Sequence, residues 1–240
     1  MKAIGVIPAR YASSRFEGKV LADLAGKPMI QHVWEQAKKS QLLEDLVVAC
    51  DDERIYKAVN EFGGKAVFTA PAHASGTERI TEVVNPLDVK VVVNIQADEP
   101  LVHPTMIDAI VEELLGDESL VVATVIKKIE RPEEIEDPHV VKVVFDKQYF
   151  ALYFSRHSIP FIRDEKPAEI IHYKHIGLYG YTKDFLFTYK ALAESKLEKL
   201  EKLEQLRILE NGYRIKLVET TFETFGVDTP EDLERVKQRL

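Results

Sequence analysis

The 240-residue chain contains one cysteine, Cys50, and one tryptophan. A lone cysteine excludes an intrachain disulfide and leads us to expect a reducing, cytoplasmic setting. Cys50 closes an apolar run and reads as a packed thiol, not a nucleophile. No hydrophobic run approaches the roughly 20 residues of a membrane span, and the first residues enter a strand-like run without a signal-peptide pattern. Membrane insertion is therefore not expected. A basic excess is missing as well, since the formal net charge is −8. That balance argues against a nucleic-acid partner, although local clusters of cations can still hold anions. No G-x-G-x-x-G or Walker loop follows the first apolar run, which disfavours an oxidoreductase. Charged residues make up 30% of the chain, with many Glu and Lys in helical stretches, a slight hint of a heat-adapted source.

The length suits one α/β domain able to bury about three-quarters of its unfolded surface. Short apolar runs at residues 3–7, 46–50, 65–69, 89–95 and 120–126 read as strands, and amphipathic stretches separate them. One such stretch follows Pro28, with Met29, Ile30, Val33, Trp34 and Ala37 on one stripe. Ser75 and Glu78 have capping-box spacing, and a further helix is expected over residues 105–115. Strands alternating with helices of this length predict βαβ units around a mostly parallel sheet of about six or seven strands, with helices on both faces. The pattern changes after residue 126. Residues 140–153 and 175–181 are β-rich, and an antiparallel excursion over roughly 127–180 is expected, suited to a lid or a subunit contact. Residues 195–210 read as one Leu-, Lys- and Glu-rich helix closed by Asn211-Gly212, and a strand at 213–218 and a terminal helix from Pro230 follow.

The loop after the first strand carries the most chemistry. Pro8 ends the strand because it lacks a ladder amide, and small residues (Ala9, Ala12, Ser13, Ser14, Gly18) then alternate with the cations Arg10, Arg15 and Lys19. Small residues admit an anion close to backbone amides and cations neutralise it. Such a loop lies outside a strand's carboxyl end, where open α/β sheets bind ligands. On chemistry alone it is an anion site or a surface loop that happens to be basic. Asn94-Ile95-Gln96-Ala97-Asp98-Glu99-Pro100 places polar groups where the best strand ends. There Asp98 could face the same crevice as the loop, or simply turn the chain before proline. Asp228, in Gly226-Val227-Asp228-Thr229-Pro230-Glu231-Asp232-Leu233, sits one residue outside a helix that Thr229 can cap.

These stretches resemble, in order, motifs of the sugar-activating nucleotidyltransferases, above all the CMP-KDO synthetase family (KDO is 3-deoxy-manno-octulosonate). The opening loop is similar to I-P-A-R-x-x-S-[ST]-R-[FL]-P-G-K-P-L, departing at Glu17 and Val20, where the family usually has prolines; a looser loop with the same cations is expected. His73-Ala74-Ser75-Gly76-Thr77-Glu78-Arg79 resembles H-x-S-G-T-[ED]-R, and the segments around Asp98 and Asp228 resemble N-[VI]-Q-[GA]-D-E-P and G-V-D-T-P-E-D-L. Tyr153-Phe154-Ser155-Arg156, His175-Ile176-Gly177-Leu178-Tyr179-Gly180-Tyr181 and Glu204-Gln205-Leu206-Arg207 resemble Y-F-S-R, H-x-G-x-Y-x-Y and E-Q-L-R. At least six motifs thus cover nearly the whole chain.

The resemblance implies a three-layer, Rossmann-like nucleotidyltransferase fold in a homodimer, with the antiparallel part used for dimerisation or as a lid. It implies transfer of CMP from CTP to KDO with release of pyrophosphate, activating KDO for lipopolysaccharide synthesis. Asp98 and Asp228 would hold Mg²⁺, which takes one or two carboxylates and completes its shell with phosphate oxygens and water. Arg10 and Lys19 would neutralise the triphosphate, and Ala9, Ser13, Ser75 and Gln96 would contact the nucleotide. Arg15 or Arg156 would take the sugar's carboxylate, since the arginine fork binds both oxygens. His175, Tyr179, Glu204 and Gln205 would hold the hydroxyls. Arg79 could reach a phosphate or form an ion pair. Two alternatives stay open: a cytidylyltransferase for another sugar acid, of sialic-acid type, and a non-catalytic nucleotide sensor on the same fold.

Overall fold

The computed structural model describes residues 1–13, 16–73, 75–163 and 171–240. The chain opens with β1 (Ala3–Ala9), followed after a 3-10 turn at Lys19–Leu21 by the two-residue strands β2 (Asp23–Leu24) and β3 (Lys27–Pro28). Then come α1 (Met29–Ala37), β4 (Asp45–Cys50), α2 (Glu53–Glu61), β5 (Ala66–Phe68), α3 (Gly76–Val84), β6 (Val91–Asn94), α4 (Pro104–Gly116) and β7 (Val122–Lys128). The second half holds α5 (Glu133–Glu136), β8 (Lys142–Phe145), β9 (Ala151–Ser155), β10 (Tyr173–Thr182), α6 (Lys183–Ala191), α7 (Lys196–Glu201), α8 (Gln205–Glu210), β11 (Lys216–Glu219) and α9 (Pro230–Lys237).

The main sheet runs β11-β7-β10-β6-β1-β4-β5, with β8 and β9 attached beside β10. Pairs β1–β4, β1–β6, β4–β5 and β11–β7 are parallel, whereas β10 is antiparallel to both β6 and β7. Helices cover both faces, so the strands are continuously apolar instead of alternating; all four residues of β6 are buried. Alternate residues of β1 go to opposite layers. Ala3, Ile7 and Ala9 join a core with Ile30 and Trp34 of α1, Ile55 of α2 and Ile107 and Ile110 of α4. Ile4 and Val6 join the other, with Ile80 of α3, Phe185 and Leu186 of α6 and Leu206 of α8. Three layers result, as expected. Among the described residues, no helix is long and apolar enough to cross a membrane.

Two expectations need correction. The antiparallel part does not leave the sheet: β8 and β9 branch from it beside β10, and β10 itself is inserted between β6 and β7. Gly180 permits this, because a Cβ there would lie 2.2 Å from Ile110 Cγ2 of α4 and 2.9 Å from Leu114 Cδ1. The expected helix over 195–210 is broken. Lys202 adopts the left-handed conformation (φ 54°, ψ 47°) between α7 and α8. Leu203 and Leu206 remain buried on either side of Glu204 and Gln205, so local helix preference yields to burial.

Gly180→Ala is expected to destabilise the protein by about 1–3 kcal/mol through overpacking against α4. Urea unfolding monitored by circular dichroism measures this; an unchanged midpoint would contradict the close packing of α4 on β10.

Candidate active site

After β1 the chain builds β4 and β5 on one side, then crosses through α3 to place β6 on the other side of β1. The carboxyl ends of β1 and β6 therefore border a topological switch point, where open α/β sheets bind ligands. A cavity of about 270 Å³ lies there, lined by Arg10, Ser13 and Lys19 from the first loop, Ser75, Gly76 and Arg79 from the start of α3, and Gln96, Asp98 and Asp228. Of the expected nucleotide residues only Ala9 is missing from its wall. Ala9 is 1% exposed and occupies the last rung of β1, opposite Cys50.

Lys19 Nζ donates to Asp98 Oδ2 at 2.6 Å, to Asp228 Oδ1 at 3.0 Å and to the carbonyl of Val227 at 3.0 Å. Two carboxylates about 130 residues apart in sequence thus meet on one ammonium. Their backbones are joined directly, Val227 N donating to Asp98 O at 2.9 Å. Burial costs the Lys19 ammonium hydration, but the charges of Asp98 and Asp228 outweigh that loss and hold its pKa above the ordinary value. Glu99 lies beside this cluster with carboxyl oxygen Oε2 buried and without a partner. Burial, reinforced by the charge of Asp98, pushes its carboxyl up to about 8.

The first loop is braced from beneath. Tyr11 N donates to Asp51 Oδ1 at 3.2 Å, and the buried Arg79 donates to Asp51 Oδ2 at 2.8 Å. Gly18 (φ 66°) packs against Tyr11 where a Cβ would lie 2.9 Å from the phenol oxygen. Arg79 therefore forms an ion pair, one of its two expected roles, although it also lines the cavity. Val20, standing at a proline position of the family motif, is buried in the core. Ser75 caps α3, accepting from Glu78 N at 3.2 Å, and the positive end of that helix opens on the cavity at Gly76. Cys50 is buried, and burial together with Asp51's charge pushes its thiol up to about 11, which suits packing over nucleophilic chemistry.

Gln96 also lines a second cavity, of about 240 Å³, with His175, Tyr179, Glu204 and Gln205. The expected hydroxyl-binding side chains are thus gathered in one place. A third space of about 610 Å³ adjoins both, sharing Ser75 with the first cavity and Thr77, Tyr189, Lys202 and Glu204 with the second. Thr124 Oγ1 donates to Leu178 O at 2.8 Å, so its 3.0 Å contact with His175 Nε2 requires the imidazole to donate. Nδ1 of His175 is then the acceptor. Burial pushes this imidazole down to about 3, so it is neutral near pH 7. Burial, followed by the charge of Glu198, raises the pKa of Glu204, whose carboxylate accepts from the Tyr189 hydroxyl at 3.4 Å.

Arg156 lines none of these three spaces. Its Nε donates to Glu201 O at 2.8 Å and its guanidinium to Pro138 O at 2.9 Å. Arg15 lies outside the described residues. Sequence reasoning passed over Asp51, Tyr189 and Lys202. Asp51 closes a strand like any helix-start residue, and the other two carry no motif, so only the packing of α6 and α8 reveals them. Among the described residues, no cluster of three or more His, Cys, Asp or Glu could hold a metal by itself. The Asp98–Asp228 pair does fit a cation that takes its remaining ligands from phosphate and water.

The class to which this fold and cleft belong, the nucleotidyltransferases, is given by the chain's likeness to known proteins. The chain matches the family model described as cytidylyltransferase over residues 4–217 and belongs to that family. It is 54% identical over 242 residues to the 3-deoxy-manno-octulosonate cytidylyltransferase of Syntrophus aciditrophicus, covering 100% of this chain and 97% of that protein. It is 52% identical to the enzyme of the same name from Solibacter usitatus, over 99% and 94% of the two chains. A solved structure of CMP:2-keto-3-deoxy-manno-octonic acid synthetase complexed with CTP superposes with a TM-score of 0.93 at 43% identity, over 100% of both chains. A putative glucose-1-phosphate thymidylyltransferase from Bacillus anthracis shares the fold, with a TM-score of 0.68 at 18% identity over 99% and 94%.

The unfolded chain protonates its histidines near the ordinary value of about 6.5, whereas the His175 ring resists protonation down to about 3. Between these values the unfolded state binds more protons, so stability falls as pH is lowered through the window. In His175→Gln the pH dependence of urea-unfolding free energy between about pH 6 and pH 4 should lose a slope of about 1.4 kcal/mol per pH unit. An unchanged slope would contradict a neutral, buried ring.

Proposed function

We propose that this chain transfers CMP from CTP to the anomeric hydroxyl of KDO, giving CMP-KDO and pyrophosphate, with Mg²⁺ as cofactor. One observation carries the reading: Gln96 lines both the cavity built from cations and paired carboxylates and the cavity built from hydroxyl-binding groups. A triphosphate in the first and a sugar acid in the second would meet at that side chain. The names of the relatives, which carry the same substrates, support it.

Arg10 and Lys19 offset charge on the triphosphate, and the start of α3 adds the partial positive charge of its unpaired amides. Ser13, Ser75 and Gln96, which line the same cavity, hold the rest of the nucleotide. His175, Tyr179, Glu204 and Gln205 orient the sugar so that its anomeric oxygen lies in line with the α-phosphorus. The new P–O bond forms as the bond to the bridging oxygen breaks; pyrophosphate leaves with that electron pair, and the proton of the attacking hydroxyl passes to solvent water. Positioning and charge neutralisation suffice for such a transfer, with no covalent enzyme intermediate. Asp98 and Asp228 would hold Mg²⁺, which supplies neutralisation of the phosphates and a lowered pKa for the attacking hydroxyl. The sugar's carboxylate falls to Arg15 or Arg156, the latter on leaving its carbonyl partners.

The proposal extends to a homodimer of a cytoplasmic enzyme whose product serves lipopolysaccharide synthesis. Leu152 of β9 is 61% exposed and Phe161, in the loop that follows, 88%, large apolar side chains that a second copy could cover.

Pyrophosphate release with CTP, KDO and Mg²⁺, each omitted in turn, tests the reading, and a panel of other sugar acids tests selectivity. Asp98→Asn should retain a native circular-dichroism spectrum and lose about a hundredfold or more in kcat. Turnover close to wild type in that variant would rule out the assigned role.

A further inference from the structure

Buried polar atoms normally find partners, and one left without any costs stability. Among the described residues, four buried side-chain atoms lack a partner: Asn94 Oδ1, Glu99 Oε2, Tyr179 Oη and Gln205 Nε2. Three of them, on Asn94, Tyr179 and Gln205, belong to the wall of the 240 Å³ cavity. Tyr179 and Gln205 are already placed on the sugar. Asn94 is not. It stands at the end of β6, 5% exposed, directly opposite Tyr179 in the β6–β10 pairing. The two side chains face the same layer, yet neither bonds the other.

We infer that Asn94 is a specificity-determining residue of the sugar site, its Oδ1 accepting a hydrogen bond from a hydroxyl of the bound sugar acid. This rests on the function proposed above. Asn94 lines the second cavity and not the first, so the hydroxyl belongs to the sugar and not to the nucleotide. Strand alternation explains the arrangement. Val92 of β6 lies in the core layer shared with Tyr179 and Tyr181, and Asn94, two residues further, points the same way beyond the last apolar neighbour. The unpaired acceptor, donor and hydroxyl converging on one cavity complement a polyhydroxylated ligand. A site built to bond a hydroxyl rejects an analogue lacking it far more strongly than an apolar pocket rejects an added group.

The test compares the wild type with Asn94→Leu, similar in shape but without polar atoms, using KDO and its monodeoxy analogues. The KM for KDO should rise about tenfold or more while the KM for CTP stays within about twofold. For one analogue, the wild type's loss in kcat/KM relative to KDO should vanish in the variant, and the ratios for the others should persist. The melting temperature should hold or rise, because an unpartnered group has been removed. A lower melting temperature with equal changes in both KM values, or unchanged ratios for every analogue, would overturn the assignment and leave Asn94 structural. Should Asn94→Leu fail to fold, Asn94→Ala reports the same ratios. Absence of KDO turnover by the wild type would sink the proposed function and this inference with it; wild-type turnover with unaltered ratios would sink the inference alone.

Discussion

The structure turns on the contact among Lys19, Asp98 and Asp228. Two carboxylates at this spacing repel each other, and the repulsion grows as water is excluded. The Lys19 ammonium, within 3.0 Å of both, supplies the neutralising charge. The Val227–Asp98 backbone hydrogen bond holds the two segments in register. The start of the chain, the end of β6 and the entry to α9 are thereby tied together at one point. A divalent ion bound by the same oxygens would compete with the ammonium, which a triphosphate in the cavity could then engage. The cation in the first loop and the paired carboxylates are in this view one device.

Around that point the sheet divides the work. The segments leaving the carboxyl ends of the paired strands β1 and β6 deliver the charged side, together with the amino end of α3. The antiparallel β10 delivers the other side, because its reversed direction brings His175 and Tyr179 to the same end of the sheet as Asn94 and Gln96. The left-handed turn at Lys202 completes the wall by allowing Glu204 and Gln205 to line it while Leu203 and Leu206 stay buried. Burial keeps the imidazole of His175 in that wall uncharged near pH 7.

Much of this was legible in the sequence, for identifiable reasons. The run from Val91 to Val93 is apolar because helices cover both its faces, and the caps at Ser75 and Thr229 show in the residue types a helix start needs. The Asp98 and Asp228 motifs declared themselves as acidic groups beside prolines, although only the fold brings them together. The place of β10 was hidden, since nothing in a Tyr- and Gly-rich strand tells whether it edges a sheet or enters one. The break at Lys202 was masked by a composition that favours helix throughout. Arg156 has a motif but its present partners are backbone carbonyls, which sequence does not display. Asn94 was overlooked because a polar residue ending a strand looks like a turn until its missing partner is seen.

The claim that Asp98 and Asp228 grip one divalent cation is tested most directly by Mn²⁺ binding, followed by electron paramagnetic resonance in the presence of CTP. The account predicts a site in the wild type that weakens about tenfold or more in Asp228→Asn. Mn²⁺ affinity equal to that of the wild type in this variant would contradict it.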